Sequence, residues 1–96
     1  MDENKFELGR LVVTIAVDAL MRSNQRFKDF VLVSLYRYIN CDWGDTCDAD
    51  KATNNEALIA GDRIFAVYKN KRLGKTIYII TEWDRSGTTI LFPEDY

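Results

Sequence analysis

Three stretches of this chain hold side chains that could do chemistry. Thr81-Glu82-Trp83-Asp84-Arg85-Ser86 sets two carboxylates two positions apart. Such a pair can divide acid and base roles when the two environments differ. A second stretch gathers Asp42, Asp45, Asp48, Asp50 and Glu56 against a single cation, Lys51. Clustered carboxylates suit a hard cation or a basic protein partner. A third places Lys69, Lys71, Arg72 and Lys75 within seven residues, an arrangement suited to phosphates.

Each stretch also has a plainer reading. Asp84 and Ser86 are ordinary turn residues, and Arg85 could pair with either neighbouring acid on the surface. The acids from Asp42 to Asp50 do not follow the calcium-loop spacing, which wants alternate ligands, a central glycine and a terminal glutamate. There Trp43 could anchor the loop, Gly44 allow a sharp bend and Asp45 cap the following helix, leaving the other acids as a solvated face or a partner-binding one. Gly74-Lys75-Thr76 looks like the end of a phosphate-binding loop. It lacks the earlier glycine, since position 69 is lysine, and it leads into a strand.

The chain contains no histidine. That removes Ser-His and Cys-His nucleophile pairs and the usual base at neutral pH. Cys41 and Cys47 are too few for a structural zinc site, which usually takes four Cys/His ligands, and free thiols are expected of both. No metal, cofactor or enzymatic activity is therefore expected. A net charge of −2 does not announce a nucleic-acid binder, although the charge is segregated into an acidic segment and a basic loop.

Ninety-six residues, 47% hydrophobic and 29% charged, suit one domain spanning 1–96. No apolar run approaches the roughly 18–20 residues of a membrane span. The start MDENKFE is too acidic for a signal peptide, so a cytoplasmic setting is expected.

The elements that must position these residues follow from periodicity. Gly9 to Thr14 reads as a strand and Ile15 to Arg22 as a helix. Asn24 is a natural N-cap for a second helix to Ile39, whose stripe Phe27, Phe30, Val31, Leu35, Tyr38 and Ile39 is interrupted only by Ser34. Leu32, Val33 and Tyr36 widen that apolar surface and predict a central helix. Asp45 would cap a third helix, with Ala49, Ala52, Ala57, Leu58 and Ile59 as its apolar face and Gly61 as its stop. Arg63–Tyr68, Thr76–Trp83 and Thr88–Phe92 read as strands around the loop Lys69–Lys75 and the turn Asp84–Gly87. The prediction is an α+β fold, β-α-α-α-β-β-β. Its antiparallel sheet has three to four strands, with the first strand at an edge and the helices on one face.

Asp42-Trp43-Gly44-Asp45, Gly61-Asp62-Arg63, Ile79 to Ser86, Thr88-Thr89 and Leu91 to Tyr96 together carry a likeness. The chain resembles, from Leu8 to Tyr96, short proteins borne by bacterial plasmids, phages and integrative elements. That resemblance implies an accessory factor that blunts host defence, a class that includes anti-CRISPR inhibitors. It carries over no residue-by-residue role. The expectation is a non-enzymatic protein that binds a protein partner such as a CRISPR effector. Asp42, Asp45, Asp48, Asp50 and Glu56 would supply the charge, and Trp43 would be a hot spot where exposed. The rivals are a nucleic-acid-binding or regulatory module using Lys69, Lys71, Arg72 and Lys75, and a carboxylate-based hydrolase or nuclease using Glu82 and Asp84.

Overall fold

The computed structural model describes residues 5–96, so the first part of the acidic start lies outside the described residues. The elements are β1 (Arg10–Val13), α1 (Ile15–Ser23), α2 (Gln25–Ile39), α3 (Asp48–Ala60), β2 (Ile64–Asn70), β3 (Lys75–Thr81), β4 (Gly87–Leu91) and a closing 3-10 turn (Pro93–Asp95). This is the α+β order expected. The strands lie in the order β1-β4-β3-β2. β2, β3 and β4 form the antiparallel meander, and β1 joins at the edge, parallel to β4, which makes the sheet mixed.

Local chemistry sets the helix starts. Thr14 accepts a hydrogen bond from Val17 N at 3.4 Å, and Asn24 accepts one from Phe27 N at 3.1 Å. Each occupies one of the amide donors that a helix start leaves without a partner. α2 lays Phe27, Val31, Ser34 and Tyr38 on the sheet, all buried. The strands answer with Ile64, Ala66 and Tyr68, Ile77, Ile79 and Thr81, and Thr88 and Ile90, also buried, as alternation requires.

Two expectations about apolar faces are corrected. Leu32, Val33 and Tyr36 do not enter the core; they are 50%, 58% and 55% exposed, because they lie opposite the Phe27–Tyr38 stripe. Ala49, Ala52 and Ile59 are also exposed. α3 buries only Asn54 and Ala57, because it runs beside the sheet edge.

The far face of the sheet is covered in part by the C-terminus. Tyr96 meets Phe65 and Tyr78 edge-on at 5.9 and 6.1 Å, while Phe65 and Tyr78 are 4.8 Å apart. The Arg63 guanidinium lies over both Phe65 and Tyr96, and it donates to Tyr96 Oη at 2.7 Å. Asp95 accepts from Thr14 Oγ1 at 2.9 Å, tying the last residues to the start of α1.

One buried polar chain crosses the core. Tyr38 Oη and Thr81 Oγ1 are 2.6 Å apart, and Thr81 Oγ1 and Thr88 Oγ1 are 2.8 Å apart. Thr88 Oγ1 donates to Leu8 O at 2.7 Å. A carbonyl can only accept, so the direction is fixed: Tyr38 donates to Thr81, Thr81 to Thr88, and Thr88 to Leu8. α2, β3, β4 and the N-terminal segment are joined by it.

Candidate functional site

The acidic segment begins where α2 ends. Cys41 takes a left-handed φ of 61° and turns the chain back. Asp42 is then gripped by Arg37, with Nε to Oδ2 at 2.8 Å and Nη2 to Oδ1 at 3.1 Å. It also accepts from Gly44 N. The Arg37 guanidinium holds the Asp42 carboxyl below its ordinary value, and Asp42 in turn raises Arg37. This carboxylate is committed within the chain.

Trp43 is not an exposed hot spot. It is 4% exposed, packs against Tyr38 at 5.6 Å, and donates from Nε1 to Asn55 at 2.9 Å. Its indole closes the core beneath the loop. Gly44 has φ 64°, and a Cβ there would run into the Tyr68 ring, so the bend needs glycine for two reasons.

Asp45 does not cap α3. Cys47 occupies that position, without a side-chain cap bond. Asp45 is drawn instead to the outer edge of β2. Its N–H donates to Val67 O at 2.8 Å, and its Oδ2 accepts from Lys69 N at 2.8 Å. Thr46 Oγ1 accepts from Val67 N at 2.9 Å. Asn54 reaches from α3 to accept from Phe65 N at 3.1 Å and donate to Phe65 O at 2.8 Å. Together these side chains and the loop backbone satisfy the outward groups of the strand edge, where a further strand would otherwise add.

The five acids therefore divide. Asp42 and Asp45 hold the loop. Asp48, Asp50 and Glu56 are exposed on α3, and no ion pair is formed by them among the described residues. Asp48 and Asp50 stand in the first turn, where the helix dipole favours negative charge. Asp50 also borders a groove of about 370 Å³ whose walls include Arg63, Phe65 and Tyr96.

The basic loop is tighter than expected. β2 runs on to Asn70, and only Lys71–Gly74 form the turn. Lys71 and Arg72 are exposed at its tip. Lys69 belongs to β2, with its amide held by Asp45. Lys75 starts β3, and its ammonium lies 5.9 Å from the Phe92 ring centre. The acidic loop and basic turn thus meet at Asp45 and Lys69.

At the opposite hairpin, β3 ends at Thr81, so Glu82 and Asp84 lie in a turn and do not continue the strand. Asp84 accepts from Ser86 N at 3.0 Å, and its hydrogen bonds with Ser86 lower its pKa. Arg85 does not pair with either acid. Its guanidinium donates to the carbonyls of Ala57 at 2.9 Å, Asp62 at 2.6 Å and Glu82 at 3.1 Å. Ala57 O belongs to the last turn of α3, so Arg85 acts as a cationic cap that clamps the hairpin to the helix. Trp83 beside it is 66% exposed.

Burial raises the Cys41 thiol, leaving it a poor nucleophile at neutral pH. Burial likewise pushes the phenols of Tyr38 and Tyr68 up, and both remain neutral donors, Tyr68 to Asp42 O at 2.8 Å. Both cysteines are free. Among the described residues, no helix is long and apolar enough to cross a membrane.

No protein-family model, curated protein or solved structure significantly matches this chain.

Proposed function

We propose that this chain is a non-enzymatic, cytoplasmic accessory protein of a mobile element, and that it inhibits a host defence component through the exposed acids of α3. The observation that carries this reading is the set Asp48, Asp50 and Glu56, exposed and without ion pairs among the described residues. Hydrogen bonds within the chain occupy Asp42, Trp43 and Asp45, whereas these three acids keep their carboxylates facing solvent. A partner of matching chemistry is a basic nucleic-acid channel, such as that of a CRISPR effector. Complementary charge there governs encounter rate and specificity.

The test is interference by a CRISPR effector in cells expressing the protein, coupled to capture of that effector on the purified chain. The expected result is lost interference and a salt-sensitive complex. Asp48→Asn, Asp50→Asn and Glu56→Gln together should weaken that complex at least about tenfold, with circular dichroism establishing that the variant remains folded. Intact interference and no effector captured would sink the reading.

A second reading is favoured by the exposed tip of the β2–β3 turn. Nucleic-acid binding that falls with salt and is lost in Lys71→Ala/Arg72→Ala would support it over the first.

A further inference from the structure

The two edges of the sheet are unlike. The outer edge of β2 is occupied by Asn54, Thr46 and Asp45, whereas β1, at the other end of the strand order, has a neighbour on one side only. Its pairing with β4 uses Arg10 N, which donates to Ser86 O at 3.0 Å, and the following Thr14 N, which donates to Ile90 O at 3.1 Å. Alternation along a strand therefore turns the N–H and C=O of Leu11 and Val13 outward. Large apolar side chains are exposed on this strand, Leu11 at 46% and Val12 at 43%, and Ile15 at the start of α1 is 90% exposed.

We propose that β1 pairs antiparallel with β1 of a second copy of this chain, about a two-fold axis passing beside Val12. The register follows from which groups point outward. Leu11 and Val13 must be the hydrogen-bonded residues, so Leu11 of one copy faces Val13 of the other. Val12 then faces its own symmetry mate in a non-hydrogen-bonded pair, where opposed side chains approach most closely. In this register Arg10 lies opposite Thr14 of the second copy. Thr14 Oγ1 is bound to Asp95 Oδ2 at 2.9 Å, so an exposed carboxylate stands beside that position. Arg10 has no ion pair of its own among the described residues. The two-fold axis brings each Arg10 to the other copy's Asp95.

This reciprocal match is what favours a second copy over an unrelated strand. A foreign strand would satisfy the same backbone groups but would not bring the paired charges. The interface is isologous, as in most symmetric dimers. It lies at the sheet edge remote from α3 and is independent of the partner proposed above.

Sedimentation equilibrium over a concentration series, with amide exchange read residue by residue, tests the pairing. Wild-type protein is expected to form a dimer of twice its 11.1 kDa mass, with Leu11 and Val13 amides protected in the dimer and exposed on dilution. Val12→Lys sets like charges at the axis and should raise the dissociation constant at least about tenfold. Arg10→Gln should weaken it more mildly and remove its salt dependence. Circular dichroism and thermal unfolding establish that the variants remain folded. Leu32→Glu, on the exposed face of α2, should leave the dimer intact. A protein that stays monomeric into the millimolar range overturns the proposal. So does a dimer that survives Val12→Lys, dissociates in Leu32→Glu, or leaves the Leu11 and Val13 amides unprotected.

Discussion

Thr81 stands where alternation along β3 calls for an apolar side chain, between α2 and β4. Its hydroxyl both accepts from Tyr38 and donates to Thr88, so it is the one member of the core chain with two side-chain partners. Replacing it with valine keeps the volume but leaves the Tyr38 hydroxyl without an acceptor in a fully buried site. Thr81→Val is expected to cost about 1–3 kcal/mol, and Tyr38→Phe, which removes only the first donor, about 0.5–1.5 kcal/mol. Urea unfolding of the two variants checks the order. A loss in Thr81→Val no larger than that in Tyr38→Phe would show that the Tyr38 hydroxyl finds another acceptor. The same scale explains Asp42 and Trp43. Both look like partner contacts by residue type, yet each has a complete set of internal partners, Arg37 and Gly44 for one, Tyr38 and Asn55 for the other.

Among the elements, α3 starts two residues later than its sequence places it, with Cys47 and not Asp45 at the cap. Asp45 has the right residue type for an N-cap, and sequence spacing gives no reason to prefer Cys47. What decides is the edge of β2, far along the chain, which takes Asp45 for its own amide at Lys69. Cys47 is left with extended backbone, φ −65° and ψ 157°, and no side-chain bond to the helix. Serine there can supply it, so Cys47→Ser is expected to stabilise the protein by about 0.5–2 kcal/mol, read as a raised thermal midpoint. By contrast, α2 was legible from Asn24 to Ile39 because its cap and its stripe are local. The strands were legible for the same reason, since Ile64-Ala66-Tyr68 and Ile77-Ile79-Thr81 alternate in sequence. The roles of Asn54, Thr46 and Arg85 were not, because each bonds across at least eleven residues to backbone groups that carry no side-chain signature.

At the scale of the whole molecule, the helices cover one face of the sheet, the C-terminus crosses the other, and the remaining distinction is between the two edges. β1 is open and β2 is closed. A strand edge that recruits another copy is harmless only if the addition cannot repeat. Here each copy offers one adhesive side and one sealed side, so growth ends at two, and the loop from Gly44 to Thr46 together with Asn54 acts as a chain terminator against fibre formation. Removing the seal should convert a closed pair into an open-ended ribbon. Asn54→Ala with Thr46→Val is therefore expected to form thioflavin-positive fibrils under conditions where the parent stays clear. Adding Val12→Lys should abolish them, because a ribbon needs both edges. Fibrils that persist in that triple variant would show that unfolding, and not the bared edge, drives them.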